Sequence, residues 1–216
     1  MRPRAYRNNL AALALAAALV VAPGTSSGVA QAASPPPLPF EKLFGGAFSL
    51  VDHDGRQRTD RDFSGKFLLI YFGYTYCPSI CPTNLAHMAD ALKRLGPAGK
   101  RVQPVFITID PGRDTPMQIR DYVKNFDDRF IGLTGTEAQI RDVARKYRVH
   151  RRKVRDPDAG TDGRNDKDAY LVDHSSITHL VGPDGKFVTL FPHDTTGEVM
   201  ALRMRKYLNR QKAAPE

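Results

Sequence analysis

The sequence predicts an α/β domain in which a central mixed β-sheet is flanked by helices. Three observations carry that prediction. The runs Phe67–Phe72 and Val105–Ile109 are continuously apolar, as strands buried on both faces are. Apolar stripes at helical spacing alternate with those runs. The chain then closes on two short strands joined by a turn and a last helix, an order that builds layers around one sheet. At 216 residues the chain has room for one domain plus extensions. With 41% hydrophobic and 25% charged residues it is neither disordered nor collagen-like, and two cysteines cannot form a disulfide framework.

The N-terminus reads as an address. Arg2, Arg4 and Arg7 precede an apolar run of thirteen residues, Leu10–Ala22, and the small-residue sequence Ala30-Gln31-Ala32-Ala33 follows. Residues 1–33 are therefore expected to be a secretory signal peptide. An uncleaved anchor is the alternative, although a spanning helix needs about 20 apolar residues. No cysteine near the run marks a lipoprotein, and no twin arginine precedes it. Cleavage near Ala33 removes three positive charges, taking the formal net charge from +9 to +6. Residues 34–44 form a Pro-rich linker, 45–209 the domain, and 210–216 a flexible tail.

Within the domain, Phe48–Val51 is a short strand and Asp54-Gly55 a hairpin turn. Leu85, Met88, Ala89 and Leu92 make the first helical stripe. Thr115-Pro116 opens the second helix, with Ile119, Tyr122, Val123 and Phe126 on its apolar face. Thr136-x-x-Gln139 is a capping box ahead of Ile140, Val143, Ala144 and Tyr147. Strands are expected near 169–173, 177–181 and 187–191, the last two joined by Pro183-Asp184-Gly185. Thr195-x-x-Glu198 caps a final helix bearing Met200, Met204, Tyr207 and Leu208. The order is that of a thioredoxin-type sandwich. Residues 151–168, with six basic and five acidic side chains, break the rhythm and are expected to form an exposed loop. A calcium loop begun at Asp156 fails, because Lys167 stands where a bidentate Glu is needed.

The positive charges are scattered and lack interleaved aromatics. They fit a solvated surface or attraction to an anionic membrane, not nucleic acid.

Both cysteines lie in Cys77-Pro78-Ser79-Ile80-Cys81-Pro82, directly after the buried run 67–72. In an open α/β sheet such a strand end is where ligands bind. Pro82 would cost a hydrogen bond inside a helix begun at Pro78. The motif is therefore expected to wrap through a loop, with Pro82 as the first helical residue. A stabilising disulfide is a weak reading, because so short a loop removes little chain entropy. Structural zinc wants four ligands. Two thiolates and an imidazole make a three-coordinate Cu(I) site. Of the histidines, His53 and His150 read as exposed, His193 lies before the last helix, and His87 competes by its nearness to Cys81. His174, at a predicted strand end, is the strongest candidate, with Asp173 and Ser175 as hydrogen-bonding supports.

Three segments together resemble the SCO/SenC copper chaperones: Tyr71-Phe72-Gly73-Tyr74-Thr75-Tyr76-Cys77-Pro78-x-x-Cys81-Pro82-Thr83, Ile107-Thr108-Ile109-Asp110-Pro111-x-x-Asp114-Thr115-Pro116, and Val172-Asp173-His174-Ser175. The resemblance covers about residues 38–210. It implies a thioredoxin-like fold with an added hairpin, whose tip would be 151–168. It also implies one copper ion, Cu(I) with Cu(II) as the other state, held by Cys77, Cys81 and His174. The implied role is loading the binuclear copper centre of cytochrome c oxidase, with that copper-centre subunit or other copper carriers as partners and no nucleic acid. An exported, periplasmic protein follows, soluble or anchored to the inner membrane through its N-terminus. The family commonly has Asp where this chain has Ser79. Asp110, in its Asp-Pro motif, reads as a turn former or as a group beside the metal.

The competing function is a thiol-disulfide reductase using Cys77 and Cys81 as the redox pair. The usual redox spacing is C-x-x-C, and no Pro precedes the strand at 177–181. A thiol peroxidase would need an Arg beside Cys77, and the sequence offers no obvious one.

Overall fold

The computed structural model describes residues 44–155 and 170–212, without the side chains of 211 and 212. The signal segment, most of the linker and residues 156–169 lie outside the described residues, as does the calcium-loop question. Nine strands are described: β1 Ser49–Asp52, β2 Gln57–Thr59, β3 Phe67–Gly73, β4 Val102–Thr108, β5 Ile131–Thr134, β6 Arg151–Arg155, β7 Tyr170–His174, β8 Thr178–Val181 and β9 Phe187–Phe191. Four α-helices accompany them: α1 Ile80–Leu95, α2 Pro116–Lys124, α3 Glu137–Lys146 and α4 Gly197–Lys212.

Seven strands form one sheet in the order β2-β1-β5-β4-β3-β8-β9. β3 pairs parallel with β4, and β4 with β5, while β1, β2, β8 and β9 join antiparallel. The sheet is therefore mixed, as expected. β3 occupies its interior, and all seven residues from Phe67 to Gly73 are buried, which is why that run carries no polar alternation. α1 packs on α4, α2 on β5 and α3 on β1. Gly197 permits the first of these contacts, because a Cβ there would meet Asp90 and the carbonyl of His87.

The expected caps are present on α2 and α3. Thr115 Oγ1 accepts from Gln118 N–H, and Thr136 Oγ1 from Gln139 N–H, with each glutamine reaching back to the cap. At α4 the cap moves by one residue: Thr196 Oγ1, not Thr195, accepts from Val199 N–H. The helix runs to Lys212, past the tail boundary expected at 210.

Three strands escape the sequence patterns. β2 is polar, β5 is four residues containing Gly132, and β6 is Arg-Arg-Lys-Val-Arg. β4 starts three residues before Val105 and takes in Pro104, because β5 pairs only with Val105–Ile107 and leaves Pro104 off that ladder. The segment 151–168 is corrected in part: residues 151–155 form β6, which pairs antiparallel with β7 in a separate two-stranded sheet. That register sets Arg151 opposite His174.

Candidate metal centre

β3 delivers the chain to the C-terminal end of the parallel strands at Gly73. A Cβ on that residue would stand 2.9 Å from Cys81 Sγ, 2.8 Å from the Tyr71 ring and 3.0 Å from the Phe106 ring. Gly73 thus sets how closely the strand end approaches the sulfur. Gly73→Ala is expected to cost about 1–3 kcal/mol through overpacking. Urea unfolding measures it, and an unchanged midpoint would show that the sulfur is free to yield.

The loop Tyr74–Ser79 is held from below by Asp114, which is fully buried. Its carboxylate accepts from Thr75 N–H at 3.1 Å, Thr75 Oγ1 at 2.6 Å and Thr108 Oγ1 at 2.6 Å. The strand β4, the turn after it and the cysteine loop therefore meet at one side chain. The sequence shows Asp114 only as part of an Asp-Thr-Pro helix start, so this role is not legible there.

Cys77 lies in the loop, and Cys81 in the first turn of α1. The helix begins at Ile80, two residues earlier than expected, with Pro82 third in it. The first N–H groups of a helix have no internal partner, so Pro82 loses nothing there. The first helical bond runs from Thr83 N–H to Ser79 O. Cys77 Sγ, half-buried, accepts from Cys81 N–H at 3.4 Å. The Cys81 thiol and the N–H groups of Cys81 and Ser79 stabilise a thiolate there and bring Cys77 down to about 5. Burial pushes the Cys81 thiol far the other way. Tyr71 Oη donates to Cys81 Sγ at 3.6 Å.

His174, at the end of β7, points its Nε2 at Cys81 Sγ, 3.6 Å away. Its Nδ1 is 2.9 Å from the Val172 carbonyl. A carbonyl only accepts, so Nδ1 carries the proton and the Nε2 lone pair faces the sulfur. Tyr74 and Tyr71 meet the imidazole edge-on and fix its plane. Two supports expected from sequence are corrected. Asp173 turns to Arg152 and His150, and Ser175 Oγ accepts from His150 N–H. Asp173 precedes His174 in β7, where neighbouring side chains point to opposite faces, and Ser175 lies just past the strand end. Asp110 is the turn former: its carbonyl accepts from Arg113 and Asp114 N–H, and its carboxylate pairs with Arg113 at 2.6 Å.

The other histidines have separate places. His53 is not simply exposed, since its Nδ1 accepts from Gly132 N–H at 2.9 Å. His150 and His193 are exposed, and His87 is half-buried on α1. His179, which sequence patterns leave unread, is buried on β8 among Phe72, Tyr147 and Phe44. Its burial pulls the imidazole down to about 4 and keeps it neutral.

The three candidate ligands are thus brought together, but in pairs. Among the described residues, no three Cys, His, Asp or Glu side chains stand ready around one metal position. Cys81 is the shared member, between Cys77 and His174. The donors are two sulfurs and one imidazole nitrogen, the soft set that Cu(I) favours. Among the described residues no peptide bond is cis. Arg113 stacks on Tyr76, and its hydrogen bonds go to Asp110 and the Tyr170 carbonyl.

A family model described as SCO1/SenC matches residues 37–209. Protein sco1 of Schizosaccharomyces pombe is 44% identical over 170 residues, covering 78% of this chain and 62% of that one. The human mitochondrial SCO1 homologue is 41% identical over 172 residues, covering 76% and 54%. The chain therefore spans somewhat over half the length of these relatives. Among solved structures, copper-bound ScoI of Arabidopsis thaliana is similar at TM-score 0.70 and 38% identity, over 78% of this chain and 99% of that one. Copper-bound ScoI of Bradyrhizobium japonicum gives TM-score 0.67 and 38% identity, over 76% and 99%. The thioredoxin-like layering expected from sequence is the fold these structures share with it. By motif, by fold and by the length of the match, this chain belongs to the SCO1/SenC family.

Proposed function

We propose that this protein is an exported copper metallochaperone that helps load the binuclear copper centre of cytochrome c oxidase. Cys77, Cys81 and His174 hold one copper ion as cargo. The observation that carries the reading is the His174 imidazole, whose tautomer is fixed so that Nε2 presents a lone pair to Cys81 Sγ. Nothing in disulfide exchange requires such a group. Relatives named for Sco proteins with bound copper support the same reading. Cys77 is a thiolate near neutral pH, and uptake needs only the Cys81 proton to leave when metal arrives. The loop position of Cys77 leaves that sulfur reachable by an incoming ligand, as transfer by ligand exchange demands. The N-terminal residues 1–33 send the protein to the periplasm, as a cleaved signal or as an inner-membrane anchor. Residues 34–44 space the domain from them.

One observation favours a second reading, thiol-disulfide reduction of the partner's copper-ligand cysteines. The thiols are unequal, with an accessible thiolate at Cys77 and a buried thiol at Cys81 able to resolve a mixed disulfide. A relative described through a disulfide switch is 25% identical.

Anaerobic Cu(I) titration of the reduced protein separates the readings. Wild type is expected to bind one copper tightly. Cys77→Ser/Cys81→Ser abolishes binding. His174→Ala weakens it by more than the roughly 10–100-fold that loss of a supporting group costs, while reduction of a model disulfide is spared. No tight copper in wild type discards the chaperone reading. Equal loss of both activities in His174→Ala discards the division between them.

A further inference from the structure

The thiolate at Cys77 opens onto a surface of unusual make-up. Tyr76 and Met117, 52% and 67% exposed, are among the few large apolar side chains left uncovered in the described residues. Gln118, next to Met117 on α2, donates to Tyr76 Oη at 3.0 Å and ties the cysteine loop to that helix. From Tyr76 a continuous cation-aromatic ladder runs toward the strand pair that carries His174. The Arg113 guanidinium lies 4.9 Å from the Tyr76 ring and 3.7 Å from that of Tyr170, and Lys153 Nζ lies 4.1 Å from Tyr170.

Among the described residues, cations outnumber carboxylates along this strip. The loop Tyr74–Ser79 contains no carboxylate. Arg113, Lys153 and Arg151 stand there against two carboxylates, Asp110 at 1% side-chain exposure and Glu137, which pairs with Arg151, at 50%. Aromatic, Met and Arg side chains around a depleted acidic content are the composition of a protein interface.

We infer that the strip from Tyr76 and Met117 across Arg113 to Lys153 is the docking face for an acidic protein surface that carries its own copper ligands. The inference rests on the copper-transfer reading and adds to it the face used and the charge of the partner. Ligand exchange fixes the place, because the partner's donor must reach the sulfur of Cys77, which borders Tyr76. The cationic ladder fixes the sign. A lipid surface on this face would seal the sulfur from any recipient, so a protein is the occupant.

The test is stopped-flow copper transfer from the loaded protein to the soluble copper-centre domain of the same organism's cytochrome c oxidase, at low and high salt. The charge-reversed variant Lys153→Glu and the variant Tyr76→Ala run in parallel. The wild-type second-order rate is expected to fall at least about tenfold from low to high salt, and charge reversal to slow low-salt transfer by a similar factor. Tyr76→Ala slows transfer at both salt concentrations. Copper affinity of Lys153→Glu stays at the wild-type value. Wild-type transfer that ignores salt and charge reversal overturns the docking face and leaves the chaperone reading intact. No transfer by wild type overturns the partner assignment and the docking face together. Binding to anionic phospholipid vesicles that charge reversal abolishes, with transfer unchanged, assigns the strip to a membrane and overturns the proposal.

Discussion

Asp114→Ala is expected to lower the unfolding free energy by about 3–5 kcal/mol, among the largest effects of any substitution outside the apolar core. The residue is fully buried, and its carboxylate is the acceptor for one backbone N–H and two hydroxyls. Truncation leaves the buried Thr108 hydroxyl without a partner at about 1–3 kcal/mol, takes the acceptor from the half-buried Thr75 N–H and hydroxyl, and opens a cavity. Asp114→Asn keeps the shape and one accepting oxygen, so about 1–2 kcal/mol is expected. Urea unfolding of the two variants checks the ranking. Copper affinity supplies a readout that a purely structural post would not move. Thr75 stands two residues before Cys77, so Asp114→Ala should weaken Cu(I) binding about 10–100-fold under conditions where it is still folded. Unchanged affinity would mean that the loop is placed by α1 alone. The pH dependence has a definite sign. Burial raises the Asp114 pKa. Its contribution is therefore complete below the ordinary carboxylate value and is lost as pH rises through the folded pKa. Asp114→Asn removes that dependence.

The contrast between Asp114 and the cysteines shows what a sequence can reveal. The apolar run of β3 is legible because a strand buried on both faces must be apolar throughout. The boxes at Thr115 and Thr136 are legible because capping is local. Cys77, Cys81 and His174 are legible as chemistry, since few residue types serve a soft metal. Their supports are not. Asp114 acts on Thr75, 39 residues away. His174 takes its tautomer from a backbone carbonyl, which every residue has. Asp173 and Ser175 are adjacent to His174 in sequence but not in orientation. β6 is unread for a further reason. A strand of four cations and one valine owes its conformation to pairing with β7, and pairing has no local signature when neither face is buried.

The two thiols should differ in alkylation rate at pH 7 by at least about 100-fold, with Cys77 the reactive one. The N-terminal end of α1 and the Cys81 thiol stabilise a thiolate at Cys77 near pH 5, and burial keeps Cys81 protonated. Iodoacetamide labelling of the reduced, metal-free protein, read peptide by peptide, gives both rates. The Cys77 rate should reach half its plateau near pH 5 and change little above neutrality. In Cys81→Ala the half-point should rise, because the largest stabilising neighbour is gone while the backbone N–H groups remain. Stability follows the same group. A depressed thiol contributes stability that is complete above its unfolded value, about 8.5, and is lost as pH falls through about 5. Cys81 adds no slope in that window, since a raised thiol is protonated there whether folded or unfolded. Equal labelling of the two cysteines, or a Cys77 half-point near 8.5, would refute the asymmetry. A protein with two ordinary thiols would have to lose two protons to take up copper and would acquire it more slowly as pH falls toward 6. With Cys77 already ionised, only one proton is displaced per metal bound, so apparent affinity should fall about tenfold per pH unit where two ordinary thiols would lose about a hundredfold.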